Sequence, residues 1–275
     1  MLSDRRVHMM TSERGIKGLM NLEKRKIGIT SFGLHVFAMT FMLLDHLWAT
    51  MMTGQEWMTN VGRLAFPIFA FMIVEGYFRT RNIKKYMGRL LAFAFISEIP
   101  FNLMTGGRWL NPYHQNVLWT FLIAIVCMLG IDKVKTSNRN IAVKTVLVIL
   151  ITFLGWAIGM VTFVDYYGFG VLTVLTFYIF HQRSWWNYLG QALVLYFINV
   201  ELLGGYYFEV TIFGVTLEVV QQGLALLSLP IIWLYNGELG YHKKWWQYFC
   251  YSFYPLHMMV LYLVFIAVFR FGLHM

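Results

Sequence analysis

Residues 34–52 read LHVFAMTFMLLDHLWATMM, an apolar run of membrane-spanning length with Asp45 and His46 side by side inside it. Ionisable groups at that depth are costly, so they face a protein interior or a water-filled cavity. Residues 60–78 (NVGRLAFPIFAFMIVEGYF) repeat the pattern with Arg63 and Glu75. Apolar runs of this kind recur to the end of a 275-residue chain that is 59% hydrophobic and 13% charged. That composition excludes an ordinary soluble domain and predicts a chain that crosses a bilayer many times. In lipid every backbone polar group must be satisfied internally, which leaves helices or a closed barrel. Continuous rather than alternating runs select helices. The expected fold class is all-α, a polytopic transmembrane helical bundle.

Nine spans are expected, at 30–52, 60–78, 86–104, 116–132, 144–163, 168–181, 187–203, 217–235 and 249–270. The sixth and seventh are short for a bilayer. A basic lead of weak amphipathic character precedes them, and no small-residue cleavage site follows it, so the first helix reads as uncleaved. The domain reading is a basic cytoplasmic segment over 1–27 and one transmembrane domain over 28–275. Of 22 Lys and Arg residues, all but Arg63, Arg108 and Arg270 fall on one side of this division. Basic residues gather in cytoplasmic loops, so the N-terminus is placed in the cytoplasm and the C-terminus outside. The same rule accounts for the net charge of +9 without nucleic acid. The expected localisation is the cell (plasma) membrane, multi-pass and in contact with its lipids. Cys127 and Cys250 lie inside apolar runs and define neither a disulfide framework nor a metal motif.

On this map the polar residues fall at two depths. Asp45, His46, Arg63, Glu98, Asn102, His114, Asn116, Asp165, Glu201, Glu218, Gln221 and Gln222 belong to the outer half or outer loops. His35, Glu75, Tyr254 and His257 belong to the inner half. Asp45 and His46 point about 100° apart on a helix, so they do not pair directly. A neutral imidazole at pH 7 suits a general base, and a histidine bonding between helices is the structural alternative. His35 precedes His46 by almost three turns, on the same face and roughly 16 Å nearer the cytoplasm. Arg63 needs an anionic partner, either Asp45, Glu98 or a ligand. Glu75 reads as a helix-end ion pair. In SEIPFN (97–102), Pro100 frees a carbonyl one turn earlier and polar neighbours line a break there. Asn116 reads as a helix cap or a site residue. No HExxH, CxxC, Walker or dinucleotide-binding pattern occurs, so no metal and no nucleotide hydrolysis is expected.

These residues sit in motifs that resemble the TraX family. They are LLDH (43–46), GRLAFPIFAFMIVEGY (62–77), TRNIKKYMGRL (80–90), SEIPFN (97–102), NVLWT (116–120), DYYGFGVL (165–172), YNGELG (235–240) and FYPLH (253–257). They follow in the family's order from residue 34 to about 265. The family is named for a membrane protein that acetylates the N-terminus of conjugative pilin. It is distantly similar to acyltransferase-3-type membrane acyltransferases, whose first span carries a basic residue, ten spacers and an essential His. Here the pattern reads His35, ten residues, His46, with His where Arg or Lys is usual.

The resemblance implies an acetyl-CoA-dependent acyltransferase, performing N- or O-acetyl transfer. The acetyl group would pass from cytoplasmic acetyl-CoA to an extracytoplasmic amine or hydroxyl on a peptide N-terminus, a glycan or a small molecule. His46 is then the base, Asp45 and Glu98 orient groups, and Arg63 or Asn116 faces the oxyanion. His35, Lys84, Lys85, Arg89, Tyr254 and His257 are the expected coenzyme A contacts. Two other classes fit the intramembrane charges. One is a secondary transporter, which the lack of an internal repeat disfavours. The other is a structural membrane protein of an envelope assembly.

Overall fold

A computed structural model describes residues 27–270. The expectation for the basic lead therefore lies outside the described residues. The chain forms α1 (Ser31–Thr50), α2 (Glu56–Gly62), α3 (Ala65–Arg79), α4 (Ile83–Gly106), α5 (Val117–Thr136), α6 (Ile141–Val161), α7 (Tyr167–Ile179) and α8 (Trp185–Tyr196). A π-helical segment (Phe197–Leu202) extends α8, and a hairpin of β1 (Tyr207–Ile212) and β2 (Val215–Val220) follows. A 3-10 segment (Gln221–Leu227), α9 (Ser228–Trp233) and α10 (Lys244–Arg270) complete it.

Among the described residues six helical stretches are long and apolar enough to cross a membrane: α1, α2 with α3, α4, α5, α6 and α10. The short α7 is apolar as well. This is a helical membrane protein. The segment expected as an eighth continuous span, 217–235, is instead the end of a hairpin, a 3-10 segment and a six-residue helix. The reason lies in YFEVTIFGVTLEVV, where apolar and polar residues alternate on either side of Phe213–Gly214 and many are β-branched. Both of those residues have positive φ, 50° and 82°, which is the two-residue turn that matches strand twist. The last helix begins at Lys244, five residues before its expected start, because Trp245 and Trp246 lie within its first turn.

Asparagines and serines set the helix starts. Asn82, Asn116, Asn140 and Ser184 each accept a backbone N–H of the turn they open. Pro100 stands inside α4, which runs through it, so the expected break is absent. The middle of the bundle is α3, α5 and α7, packed through Ile68, Val74, Ala124, Met128, Val174 and Phe177. In α6, Val146, Ile149, Phe153 and Val161 are exposed, the face a lipid-contacting helix presents. A β-carbon on Gly159 would lie 2.8 Å from the Gly168 Cα, so α6 and α7 approach through bare backbone. Small residues of this kind let membrane helices gain dispersion contacts, since lipid offers no hydrophobic driving force.

Contacts at the helix ends sort the bundle into two poles. At the near pole, Ser31 N–H donates to Glu238 O and Arg79 to Gly237 O, and His181 meets Glu75. At the far pole, Thr59 meets Asp45, Gln221 meets Asn60, and Asn116 meets Glu98. Helices α1 and α10 both start at the near pole, where Phe32 packs against Trp246. They therefore run parallel.

Candidate functional site

Because α1 and α10 start together, positions at equal distances along them meet. His46 Nδ1 lies 2.7 Å from His257 Nε2. Their ring planes are 6° from parallel with centroids 4.9 Å apart. A short N···N distance inside so large a centroid separation means the rings meet edge to edge in one plane. His257 Nδ1 is 2.7 Å from the Phe253 carbonyl oxygen, one turn back on its own helix. His257 was expected near His35 in the inner cluster. The earlier onset of α10 carries it up to the depth of His46 instead.

Asp45 points to another neighbour. Thr59 donates its hydroxyl to Asp45 Oδ1 at 2.7 Å, and Arg63 Nη2 donates to Thr59 Oγ1 at 2.6 Å and to Asp45 Oδ1 at 3.4 Å. Arg63 Nη1 reaches Gln222 Oε1 at 3.4 Å, and Gln222 Nε2 donates to Asn199 Oδ1 on the π-helical segment at 2.9 Å. Such segments recur at functional sites because the widened turn re-aims side chains. Arg63 Nε is buried and has no hydrogen-bond partner among the described residues. Tyr166 faces the Arg63 guanidinium and stacks on Phe66 at 4.1 Å. The sequence places Gln222 among the outer polar residues and Tyr166 in the DYYGFGVL motif, but marks neither Asn199 nor the contacts that bring these residues to Arg63. Tyr166 belongs to a turn where Phe163, Tyr166 and Tyr167 all take positive φ. Backbone strain of that kind collects at sites that need a fixed side-chain direction.

Glu98 receives four N–H groups. They come from Asn102 (3.3 Å), the Asn116 side chain (2.5 Å), the Asn116 backbone (3.4 Å) and Trp119 (3.0 Å). Asn116 also donates to Ala94 O and accepts from Leu118 N–H, so its side-chain amide is fully engaged in capping α5 and tying it to α4. Tyr254 faces the backbone amide of Val117 beside it. In the loop outside the helices, His114 Nε2 lies 3.7 Å from Asp165 Oδ1. The close approach of the Asp165 carboxylate raises the His114 pKa above its ordinary value, against the desolvation of partial burial.

Below the histidines opens a cavity of about 610 Å³. Met42 and Phe253, one turn before His46 and His257, line it, with Tyr254 and Val117. Toward the near pole its wall holds His35, Arg79, Arg89 and His242. His35 Nδ1 bonds the Ser31 carbonyl at 2.7 Å. Of the expected coenzyme A contacts, His35, Arg89 and Tyr254 therefore line one cavity. Lys84 and Lys85 are exposed and stand outside it. Glu75 is paired with Arg79 at 3.0 Å and with His181 at 2.8 Å, as a helix-end carboxylate does. Among the described residues no three His, Cys, Asp or Glu side chains come together to hold a metal.

The arrangement supplies a histidine with a fixed partner, a carboxylate–arginine pair one residue away and a roomy amphipathic cavity with cations at one pole. The family model described as TraX protein matches residues 33–265. The chain is 27% identical over 259 residues to a probable fimbrial assembly protein FimC, serogroup H1, of Dichelobacter nodosus, covering 86% of this chain and 96% of that one. It is 33% identical over 88 residues to Protein TraX of Escherichia coli, 32% of this chain and 34% of that one. No solved structure matches it. The match runs from the first helix to the last, and the chain belongs to the TraX family.

Proposed function

We propose that the protein is a multi-pass plasma-membrane acetyltransferase that moves an acetyl group from cytoplasmic acetyl-CoA to an amine or hydroxyl beyond the membrane. The observation that carries this is the position of His46, one turn above a cavity of about 610 Å³ whose other pole holds Arg79 and Arg89. The near pole is the cytoplasmic one in this reading, since the basic loops gather there. The chain then crosses nine times. The π-extended α8 forms the seventh crossing, and the 3-10 segment with α9 forms the eighth. The link between Asn60 and Gln221 at one pole and between Ile29 and Leu234 at the other supports that return path. One relative is described as a probable fimbrial assembly protein, which supports a fimbrial component as the acceptor.

Acetyl-CoA enters from the near pole, its phosphates at Arg79 and Arg89 and its pantetheine arm in the cavity, so that the thioester reaches His46. The acceptor arrives from the far pole. Its nitrogen or oxygen bonds to the acetyl carbonyl carbon while His46 takes its proton. The carbon–sulfur bond then breaks, and coenzyme A leaves as the thiol with that proton. The unpartnered Nε–H of Arg63 supports a role for that side chain in holding developing negative charge. General-base removal typically costs roughly 10²–10⁴-fold in rate. In lipid nanodiscs, wild-type protein is expected to bind acetyl-CoA and turn it over, and His46→Ala to bind it without turnover. Mass spectrometry of cells with and without the gene, searching for a difference of one acetyl group, identifies the acceptor. Wild-type protein that neither binds nor consumes acetyl-CoA would sink the reading.

A further inference from the structure

We infer that His257 is a positioning residue that holds His46 as the Nδ1–H tautomer, leaving Nε2 as the atom that accepts the proton. This rests on the acetyltransferase reading, but its premises are local. The Phe253 carbonyl can only accept, so the hydrogen on the 2.7 Å contact to His257 belongs to Nδ1. His257 lies in the middle of a membrane helix, 8% exposed. Among the described residues no carboxylate bonds to either imidazole, and an unpaired charge at that depth is disfavoured. A neutral His257 with hydrogen on Nδ1 has its lone pair on Nε2. That lone pair faces His46 Nδ1 at 2.7 Å, so His46 Nδ1 carries a hydrogen and donates it. A neutral His46 is then left with its own lone pair on Nε2. The hydrogen bond made by one imidazole nitrogen decides what the other does.

The coplanar rings, 6° from parallel, put the Nδ1–H of His46 along the lone-pair direction of His257. Stacking of His257 on Phe253, with centroids 4.8 Å apart, holds the acceptor ring in place. During transfer the acceptor's proton moves to His46 Nε2 as its heteroatom bonds to the acetyl carbon. His46 becomes an imidazolium whose Nδ1–H still points at His257, and the bond strengthens because its donor is charged. When the carbon–sulfur bond breaks, Nε2 returns the proton to the departing sulfur. His257 itself exchanges no proton with substrate. A carboxylate does this work in many hydrolases. A neutral second imidazole does it without placing a fixed anion in the bilayer.

Two substitutions separate the chemistry from packing. His257→Phe keeps a ring against Phe253 and removes the acceptor. His257→Gln returns an oxygen acceptor near the place of Nε2. With acetyl-CoA as donor, His257→Phe is expected to lower kcat by at least roughly 100-fold, since loss of the correct tautomer costs about 10⁴-fold in a serine-hydrolase triad. KM for acetyl-CoA should change by less than about threefold, because His257 is not part of the cavity wall. His257→Gln should recover kcat to within about tenfold of wild type. Nitrogen-15 spectra of histidine-labelled protein in nanodiscs give a readout independent of activity. Wild type should show His46 protonated on Nδ1, and His257→Phe should show the hydrogen moved to Nε2. A wild-type spectrum with His46 protonated on Nε2 overturns the inference, as does unchanged kcat in His257→Phe. Wild-type protein that transfers no acetyl group overturns the enzymatic reading alone, and the spectra still decide the tautomer.

Discussion

Gly62 lies so close to Asp45 that a β-carbon added to it would stand 2.4 Å from the Asp45 Cβ. The turn of α2 that carries Thr59 and Arg63 can approach Asp45 only because position 62 has no side chain. Gly62→Ala is therefore expected to push α2 off α1 and lengthen the Asp45–Thr59–Arg63 contacts. Overpacking of this kind costs about 1–3 kcal/mol. Thermal unfolding in detergent checks it, with Gly54→Ala as the control, since nothing among the described residues lies within 4 Å of a β-carbon there. Equal melting temperatures for the two variants would contradict the assignment.

Asn116 is 0% exposed and joins the start of α5 to α4. Asn116→Ala removes a cap and takes two donors' worth of contact from Ala94 O and Glu98. The sum is about 2–4 kcal/mol of destabilisation. Asn116→Asp keeps the cap but sets a second carboxyl against Glu98. It is expected to be at least as damaging near neutral pH. Unfolding of both variants in nanodiscs tests this, and a neutral Asn116→Ala would show that the cap contributes nothing.

Some of this was legible in the residues. Apolar runs with few breaks announce helices, because no other open structure satisfies the backbone in lipid. The pairing of Arg63 with Asp45, the Glu75–Arg79 helix-end pair and the Asn116 cap all follow from local rules of charge and capping. The depth of His257 does not follow, because it depends on where α10 begins. An interfacial Trp pair reads equally well as flank or as first turn. The hairpin was signalled by period-two alternation, but its apolar residues also satisfy a window average for a span. Tyr166 and Gln222 meet Arg63, and Asn199 meets Gln222, only through tertiary packing from three separate segments, which no spacing encodes.

The two poles make a topological prediction. Reporter fusions after Lys135 should mark the cytoplasmic side, and fusions at the hairpin tip, Phe213–Gly214, and after residue 275 should mark the outer side. The basis is the gathering of basic residues at one pole, together with the parallel run of α1 and α10. If Lys135 and residue 275 report the same side, the count of nine crossings is wrong by an odd number.

The cavity wall distinguishes cations that the sequence treats alike. Arg89 lines the cavity and lies over the Tyr251 ring, with 5.9 Å from its guanidinium carbon to the ring centre. Lys84 and Lys85 point to solvent. If coenzyme A phosphates bind here, Arg89→Ala should raise KM for acetyl-CoA roughly tenfold, the worth of one charged hydrogen bond. Lys84→Ala and Lys85→Ala should change it less than about twofold, because screened surface charges act weakly. An equal effect from all three would favour a diffuse field over a defined site.

His114 gives the fold a pH dependence whose sign is fixed. Its partner Asp165 belongs to the turn that carries Tyr166, and Gln115 bonds that turn through its backbone at 2.9 Å on either side. The close Asp165 carboxylate, helped by the charge of Glu98, lifts the His114 pKa above its ordinary 6.5. A histidine whose folded pKa is raised binds its proton more tightly folded than unfolded. Its contribution to stability is complete below the unfolded value and is lost as pH rises through the folded one. The melting temperature of wild-type protein should therefore fall as pH climbs from below 6.5 through the raised value. His114→Gln keeps a donor for Asp165 without a titrating proton, so its melting curve should be flatter over the same interval. Unfolding in detergent buffers stepped across that interval measures both slopes. A variant slope as steep as that of wild type would assign the pH dependence to another group.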